Sequence, residues 1–362
     1  YQTSINLPQV HTLDVSSCSP EALEKTLTSW QAHFDISSGP LWQVGYLHGY
    51  VDGSARIYFA LHHLIIDAVS WRILIEDMKR LYHGEPLGIK TSSYRQWVAA
   101  VEAYGTSHPS ELTYWENVLS EKTEYVLENN SPQHSQIELD ASLTEKLITV
   151  AGRAYHAEIN DLLLTALAYA LSESQGGLSH LITLEGHGRE SLDETLDTSG
   201  TVGWFTTAYP VHLQLQSDVE ISIKYIKEQL RLIPNKGIGF GALHESLGKP
   251  SLPSIGFNYL GQFDSTSGDW QLAAESSGCS IHQDNNPTKL IDINGLVIQG
   301  KLTFHIATHL SSVAHEAFAS SFKTQLVQVI QHCTTQVSEG RELYTPSDFN
   351  PSLSMPHLDD LQ

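Results

Sequence analysis

The sequence is poor in cysteine and in basic residues. Its three cysteines, Cys18, Cys279 and Cys333, are odd in number and lack C-x-x-C spacing. Scattered cysteines predict neither a disulfide framework nor a thiolate metal site and favour a reducing compartment, so we expect a cytoplasmic protein. Lys and Arg number 20 against 41 Asp and Glu, which gives a formal net charge of −21, and no basic run occurs. Nucleic acid and anionic membranes would be repelled, and we expect neither as a partner.

Long apolar runs are also missing, since none approaches the roughly 20 residues that a membrane-spanning helix needs. The first residues, YQTS, contain no initiator Met and no signal-peptide pattern, so we interpret the sequence as a piece of a longer polypeptide. The 19 histidines contain no H-E-x-x-H motif. The adjacent His62 and His63 would point to opposite faces of a strand, and we predict no metal site.

The 41% hydrophobic fraction is instead that of an ordinary globular protein with a substantial core. At 362 residues, two lobes are expected. Predicted strands pair locally and alternate with long amphipathic helices, which indicates an α/β (α+β) fold. A polar, Pro-containing stretch suggests the division, so we predict an N-terminal lobe, an interlobe linker, a C-terminal lobe and a terminal linker segment at residues 1–127, 128–135, 136–344 and 345–362.

Two short motifs hold the residues best suited to chemistry. Residues 62–71 read HHLIIDAVSW and follow a predicted strand at residues 56–61, which a polar turn joins to another strand at residues 41–47. Residues 185–190 read EGHGRE and follow a predicted strand at residues 180–184. Loops at strand ends place reactive groups on a rigid support. An imidazole and a carboxylate in these positions are suited to proton transfer.

These motifs resemble those of the condensation-domain superfamily of nonribosomal peptide synthetases. The HH-x-x-x-D-x-x-SW pattern at residues 62–71 is similar to the superfamily signature. Within the superfamily, EGHGRE at 185–190, TVGWFT at 201–206, PNKGIG at 234–239, FNYLG at 257–261 and TPSDF at 345–349 resemble epimerization domains. The motifs occur in order along essentially the whole chain. Such domains usually begin with further residues, so we expect the N-terminal lobe to lack its first elements; Ala68 also stands where many relatives carry Gly.

The resemblance implies two chloramphenicol-acetyltransferase-like lobes, each a mixed sheet packed with helices, with the active site in an interlobe cleft or tunnel. It also implies inversion at Cα of an L-aminoacyl or peptidyl thioester, through an enolate-like intermediate. The substrate would be held on the phosphopantetheine arm of an upstream peptidyl carrier domain. No permanently bound cofactor is expected, and a downstream condensation domain is a possible further partner.

The resemblance assigns catalysis to His63 and Glu185. A neutral imidazole can give or take a proton near neutral pH, and a partly buried carboxylate can act as a base. One base and one donor on opposite faces would serve inversion, and we favour Glu185 as the base for the L-isomer. The alternatives are a core histidine and an ion pair between Glu185 and Arg189.

Other residues are expected to support the site. Asp67 is predicted to cap a helix or to hold a buried Arg, His62 to brace its loop, and Ser70 to cap a helix rather than act as a nucleophile. The remaining family positions are assigned by the resemblance: Arg189, Asn258 and Tyr259 would support the site, and Ser70, Trp204 and Phe205 are possible tunnel-lining residues. For Trp204 and Phe205, the alternative is an aromatic pair in the core.

Two other functions remain open. A condensation domain would use the same His63 to form a peptide bond between two carrier-bound substrates. A catalytically inactive domain would only dock carrier proteins. Glu185 and the GWFT segment at residues 203–206 favour epimerization over the former, and the presence of both proton-transfer groups argues against the latter.

Overall fold

The structure is a computed structural model that describes residues 9–120, 125, 130–263, 270–273, 275–282, 284–285 and 289–349. The chain forms two compact units. Unit 1 consists of Tyr1–Tyr94, Asp197–Phe205 and Ser265–Asn286, and unit 2 contains the remainder. Each unit therefore draws on more than one stretch of the sequence.

Unit 1 is built on a three-stranded sheet in the order β1-β2-β3. Strand β2 pairs in parallel with β1 and antiparallel with β3, so the predicted hairpin is confirmed. A small core that includes Leu23, Leu27 and Leu47 joins this sheet to a helix that is capped by the Ser19 side chain. The strands and helices are β1 (His11–Asp14), α1 (Pro20–Gln31), β2 (Trp42–His48), β3 (Arg56–Leu61) and α2 (Ala68–Tyr82).

Unit 2 is built on a six-stranded mixed sheet in the order β4-β9-β8-β7-β5-β6. Its strands are β4 (Gln133–Glu138), β5 (Ser179–Gly186), β6 (Thr207–Gln214), β7 (Ile255–Gln262), β8 (Ile291–Ile298) and β9 (Lys301–Thr308). The helices are α3 (Tyr94–Ser107, which begins on the last residue of the first stretch of unit 1), α4 (Glu111–Ser120), α5 (Ala141–Lys146), α6 (Ile159–Gln175), α7 (Val219–Arg231), α8 (Ile238–Ala242) and α9 (Ser312–Ser338). The expected α/β architecture of sheets packed with helices is confirmed.

The two faces of the six-stranded sheet differ in chemistry. Because side chains alternate along each strand, Phe257 and Leu184 point to one face, where they join the core with α6 and the buried side of α9. The opposite face carries a row of mostly polar residues at one level of the sheet, which we call the polar row. Its members, in strand order, are Gln136, His305, Asn294, Asn258, Glu185 and Ala208.

The compact units divide the chain differently from the expected lobes. Helix α4 and nearly all of α3 lie before residue 128 but belong to unit 2, whereas residues 197–205 belong to unit 1. Of the expected linker at 128–135, residues 128–129 lie outside the described residues and 133–135 begin strand β4. Residues 350–362 of the expected terminal segment also lie outside them. The lobes and linkers therefore stay a proposal.

The PNKGIG segment at residues 234–239 forms a tight turn that leads into α8. Asn235 and Lys236 adopt positive φ angles of 38° and 53°, and Gly237 follows at 85°. A side chain at Gly237 would collide with the ring of Tyr209. The glycine thus serves close packing and a left-handed backbone.

Candidate functional site

In unit 1, the HH motif forms the connection from strand β3 to helix α2. The strand ends at Leu61, a 3-10 turn spans His63–Ile65, and α2 begins at Ala68. His62 caps this turn, since its Nδ1 accepts a hydrogen bond from the Leu64 amide at 3.2 Å. This bracing contact agrees with the loop role expected for His62. The next side chain, His63, is exposed at the surface of unit 1.

Asp67 caps α2, as the sequence predicted. Its Oδ1 accepts from the Ser70 amide at 2.7 Å, and its Oδ2 accepts from the Phe205 amide at 3.1 Å. The side chain is buried, with 4% of the residue exposed. One carboxylate therefore accepts a hydrogen bond from an amide in the first turn of the helix and also holds the distant segment at residues 201–205.

Ser70 lies inside the first turn of α2 and is fully buried, so the predicted cap role for it is wrong. Its hydroxyl donates to the Gly203 carbonyl at 3.0 Å and accepts from the Gly203 amide at 3.1 Å. The hydroxyl thereby both donates to and accepts from the backbone of one residue. This geometry supports an anchoring role rather than a nucleophile or an exposed lining residue.

Trp204 and Phe205 separate into two environments. Phe205 is completely buried and packs edge-on against Tyr94 at a centroid distance of 5.1 Å, so it is a core residue of unit 1. Trp204 is 38% exposed, and its ring centroid lies 5.4 Å from that of His63. The Tyr94 hydroxyl donates to the Trp204 carbonyl at 2.6 Å. The structure therefore brings His63 and Trp204 together at the surface of unit 1.

Gly203 permits this close packing. A Cβ atom at this position would collide with the ring of Tyr94. Burial, and secondarily the carboxylate of Asp67, raises the pKa of Tyr94 above its usual value, which keeps the phenol neutral. The neutral phenol remains a hydrogen-bond donor to Trp204.

We expect Asp67→Ala to destabilise unit 1 by about 2–4 kcal/mol, because it removes a helix cap and leaves the buried Phe205 amide without this acceptor. Chemical denaturation monitored by tryptophan fluorescence would measure the loss. Glu76→Ala, an exposed acidic position on the same helix, provides the matched control. Equal stability of the two variants would contradict the bridging role of Asp67.

In unit 2, Glu185 lies near the carboxyl end of strand β5. Its Oε2 accepts a hydrogen bond from the Asn258 side-chain amide at 2.8 Å, and its Oε1 lies 3.5 Å from the Lys289 ammonium. The carboxylate side chain is 26% exposed. Asn258 is its neighbour in the polar row, so strand register explains why these two expected site residues meet.

Lys289 links two carboxylates. Its Nζ lies 2.8 Å from Asp292 Oδ1, and Asn294 donates to Asp292 Oδ2 at 3.2 Å. Burial lowers the pKa of Lys289. The nearby carboxylates of Asp292 and, to a lesser extent, Glu185 raise it by more, so the pKa lies above its usual value. A chain of contacts thus runs from Asn258 through Glu185, Lys289 and Asp292 to Asn294, and we call it the β5–β8 network.

The remainder of EGHGRE forms the turn after β5. The Arg189 amide donates to His187 Nδ1 at 3.0 Å, and His187 Nε2 lies 3.2 Å from Glu190 Oε1. Arg189 is partly buried next to these residues. Glu185 forms an ion pair with Lys289, whereas the sequence suggested Arg189 as the alternative partner.

The structure packs Tyr259 against the core and adds Lys289, which no motif contains, to the surroundings of Glu185. Tyr259 is partly buried against the core of unit 2, while its neighbour Asn258 reaches Glu185. Lys289 was missed because it belongs to no motif. A lysine just before strand β8 was the available signal, but its partner depends on the order of strands in the sheet.

Three general features of the described residues bear on the kind of site. Across the described ranges, no three His, Cys, Asp or Glu residues are grouped so that they could hold a metal ion. In the same part of the chain, every helix is too short or too polar to cross a membrane. The three cysteines are unpaired thiols, of which Cys333 is buried and Cys279 exposed.

Comparison with known proteins gives matches along most of the chain. The family model described as "Condensation domain" matches residues 4–350. The sequence is 36% identical over 337 residues to N-(5-amino-5-carboxypentanoyl)-L-cysteinyl-D-valine synthase from Amycolatopsis lactamdurans, which covers 90% of this chain and 9% of that protein. It is also 36% identical over 375 residues to gramicidin S synthase 1 from Brevibacillus brevis, covering 91% and 33% respectively. The chain therefore spans one third or less of the length of these two relatives.

A solved structure is similar to both the fold and the sequence. The crystal structure of the epimerization domain from the third module of tyrocidine synthetase B superposes with a TM-score of 0.81 at 30% sequence identity. The match covers 90% of this chain and 81% of that one. Solved structures of condensation domains also match.

Proposed function

Since the chain belongs to the condensation-domain family, we propose that it is an epimerization domain of a nonribosomal peptide synthetase. It would invert the α-carbon of an L-aminoacyl or peptidyl thioester held on the phosphopantetheine arm of a carrier domain. The observation that carries the proposal is the Glu185 carboxylate, held by Asn258 and Lys289 at the end of a strand. The likeness to a solved epimerization domain supports it.

The proposed reaction moves one proton off the α-carbon and another onto it. A thioester acidifies this position, and removal of the proton leaves an enolate-like anion with charge on the thioester oxygen. We assign Glu185 as the base for the L-isomer and His63 as the donor to, or stabiliser of, the opposite face. One of these groups belongs to each unit.

The β5–β8 network explains how Glu185 would be held for this step. Asn258 fixes one carboxylate oxygen, and Lys289 balances the negative charge near the other. A partly buried carboxylate without a fixed orientation would lose catalytic efficiency, because proton transfer depends on alignment. We therefore assign Asn258 and Lys289 as positioning residues, with Asp292 holding Lys289.

We expect Lys289→Met to lower the exchange rate about tenfold to a hundredfold, because a misplaced base costs rate steeply. Lys289→Arg should restore most of the activity, since it keeps the positive charge beside Glu185. The measurement is kcat for α-deuterium uptake by a loaded carrier, with unfolding midpoints checked in parallel. Equal activity of the Met variant and the wild type would remove Lys289 from this role.

The test of the proposed function uses an L-aminoacyl group loaded onto a cognate carrier domain in D₂O. Epimerization predicts α-deuterium incorporation together with formation of the D-isomer. The family match also allows condensation, which would give a peptide product from two loaded carriers without α-exchange. Absence of both outcomes would favour carrier docking alone.

The proposed function implies that this chain works together with other domains of a synthetase. An upstream carrier domain in the same synthetase would deliver the substrate, and a downstream condensation domain is a possible recipient. The phosphopantetheine arm would come from the carrier, with no cofactor held by this chain. A cytoplasmic location fits the three unpaired thiols.

A further inference from the structure

A pocket of about 180 Å³ lies within unit 2 beside the start of strand β6. Trp97 and Val101 of α3 form one wall, and Ile238 and Ala242 of α8 form another. Residues 206–208, which lead into β6, complete the lining. Since α3, α8 and β6 all contribute, the pocket belongs to the packed framework of the unit.

The pocket adjoins the proposed base through strand pairing. Ala208 lines the pocket and is the direct cross-strand partner of Glu185. Directly opposed residues of an antiparallel pair point to the same face, with their Cβ atoms about 4.5–5.5 Å apart. The pocket residue Ala208 is thus a direct neighbour of Glu185, the residue whose carboxylate would remove the α-proton.

The chemistry of the lining limits what the pocket can accept. Its residues are apolar or small, and none carries a charged side chain. The buried hydroxyl of Thr207 adds no polar contact, because side chains alternate along β6 and Thr207 points to the face opposite to Ala208. An apolar cavity of about 150 Å³ is large enough to bind benzene, so this pocket can hold a group of similar size. A charged group would lose its hydration there without compensation.

We propose that this pocket receives the side chain of the aminoacyl group that is epimerized, and that it selects branched aliphatic and aromatic side chains over small or charged ones. The inference rests on the proposed function and extends it to the substrate class. Val101 is a size-determining position, because it lies on the wall that α3 provides.

The experiment compares carrier domains loaded with L-alanyl, L-leucyl, L-phenylalanyl and L-aspartyl groups. The wild-type chain is expected to exchange the α-proton of Leu and Phe with a kcat/KM at least about tenfold above that of Ala, because a few buried carbons give discrimination of this order. The aspartyl group should be the poorest substrate.

Two substitutions of Val101 test the pocket in opposite directions. Val101→Phe fills it and should lower kcat/KM for Phe about tenfold or more relative to kcat/KM for Ala. Val101→Ala enlarges it and should raise the preference for Phe over Leu. Ala103→Phe, at an exposed position on the same helix, is the matched control and should keep the wild-type preference.

The outcomes separate this inference from the function on which it rests. The inference is supported if the two Val101 variants shift the side-chain preference as stated. It is overturned if the wild type exchanges all four substrates equally, or if Val101→Phe slows Ala and Phe to the same extent; epimerization itself would stand in both cases. Exchange with none of the four substrates by the folded wild type would overturn both.

Discussion

Glu185→Gln is expected to lower α-proton exchange of the L-substrate by roughly 10²–10⁴-fold, the range that a positioned general base contributes. The amide is nearly isosteric and can still accept a hydrogen bond from Asn258, which now reaches Glu185 at 2.8 Å. It cannot take up the α-proton. The substitution therefore removes the base while it disturbs the surrounding contacts little.

The measurement is single-turnover deuterium uptake with a loaded carrier, so that binding and exchange are separated. Glu194→Gln, at an exposed position a few residues further on, controls for a general loss of acidic charge. An unfolding curve of the Gln variant should remain close to that of the wild type. Wild-type exchange in Glu185→Gln would withdraw the base assignment, whatever the role of Lys289.

His63→Ala has the second large expected effect, a loss of inversion of roughly 10²–10⁴-fold. The stability cost should stay within about 0.5 kcal/mol, because the side chain is exposed and its described ring contact is with the half-exposed Trp204. A large kinetic effect with an unchanged fold would separate His63 from an ordinary structural histidine.

The two variants should also differ in stereochemistry. If Glu185 serves the L-isomer and His63 the opposite face, His63→Ala should retain slow deuterium uptake into the L-substrate without forming the D-isomer. Glu185→Gln should lose that uptake. Chiral analysis of the hydrolysed product distinguishes these outcomes, and His83→Ala, an exposed histidine at the end of α2, is the control for the first variant. Inversion by His63→Ala at the wild-type rate would contradict the assignment.

The sequence predicted local structure best where neighbouring residues determine it. The hairpin at residues 41–61 and the cap of α2 by Asp67 follow from turn and capping patterns that span a few residues. Ser70 was predicted to be a cap because serine favours helix starts, but Asp67 already occupies that place. The Ser70 hydroxyl instead binds Gly203, a partner 133 residues away.

For the candidate site as well, the sequence predicted the reactive groups but not the partners that hold them. The motifs named His63 and Glu185 as proton-transfer groups, and the resemblance to a family supplied the reaction they would serve. The partnership of Glu185 with Lys289 could not be predicted, because it depends on β7 pairing with β5 and on β8 pairing with β7 in the sheet. The burial of Phe205 and the exposure of Trp204 also depend on the packing of Tyr94.

By itself, then, the sequence determined which chemical groups the protein has and where its strands, turns and caps begin, since these follow from interactions between near neighbours in the chain. Only the tertiary structure decided which distant groups meet: the β5–β8 network, the attachment of residues 201–205 to α2, and the pocket opposite Glu185. Strand order and register bring such groups within a few ångströms of each other, and no local pattern specifies them.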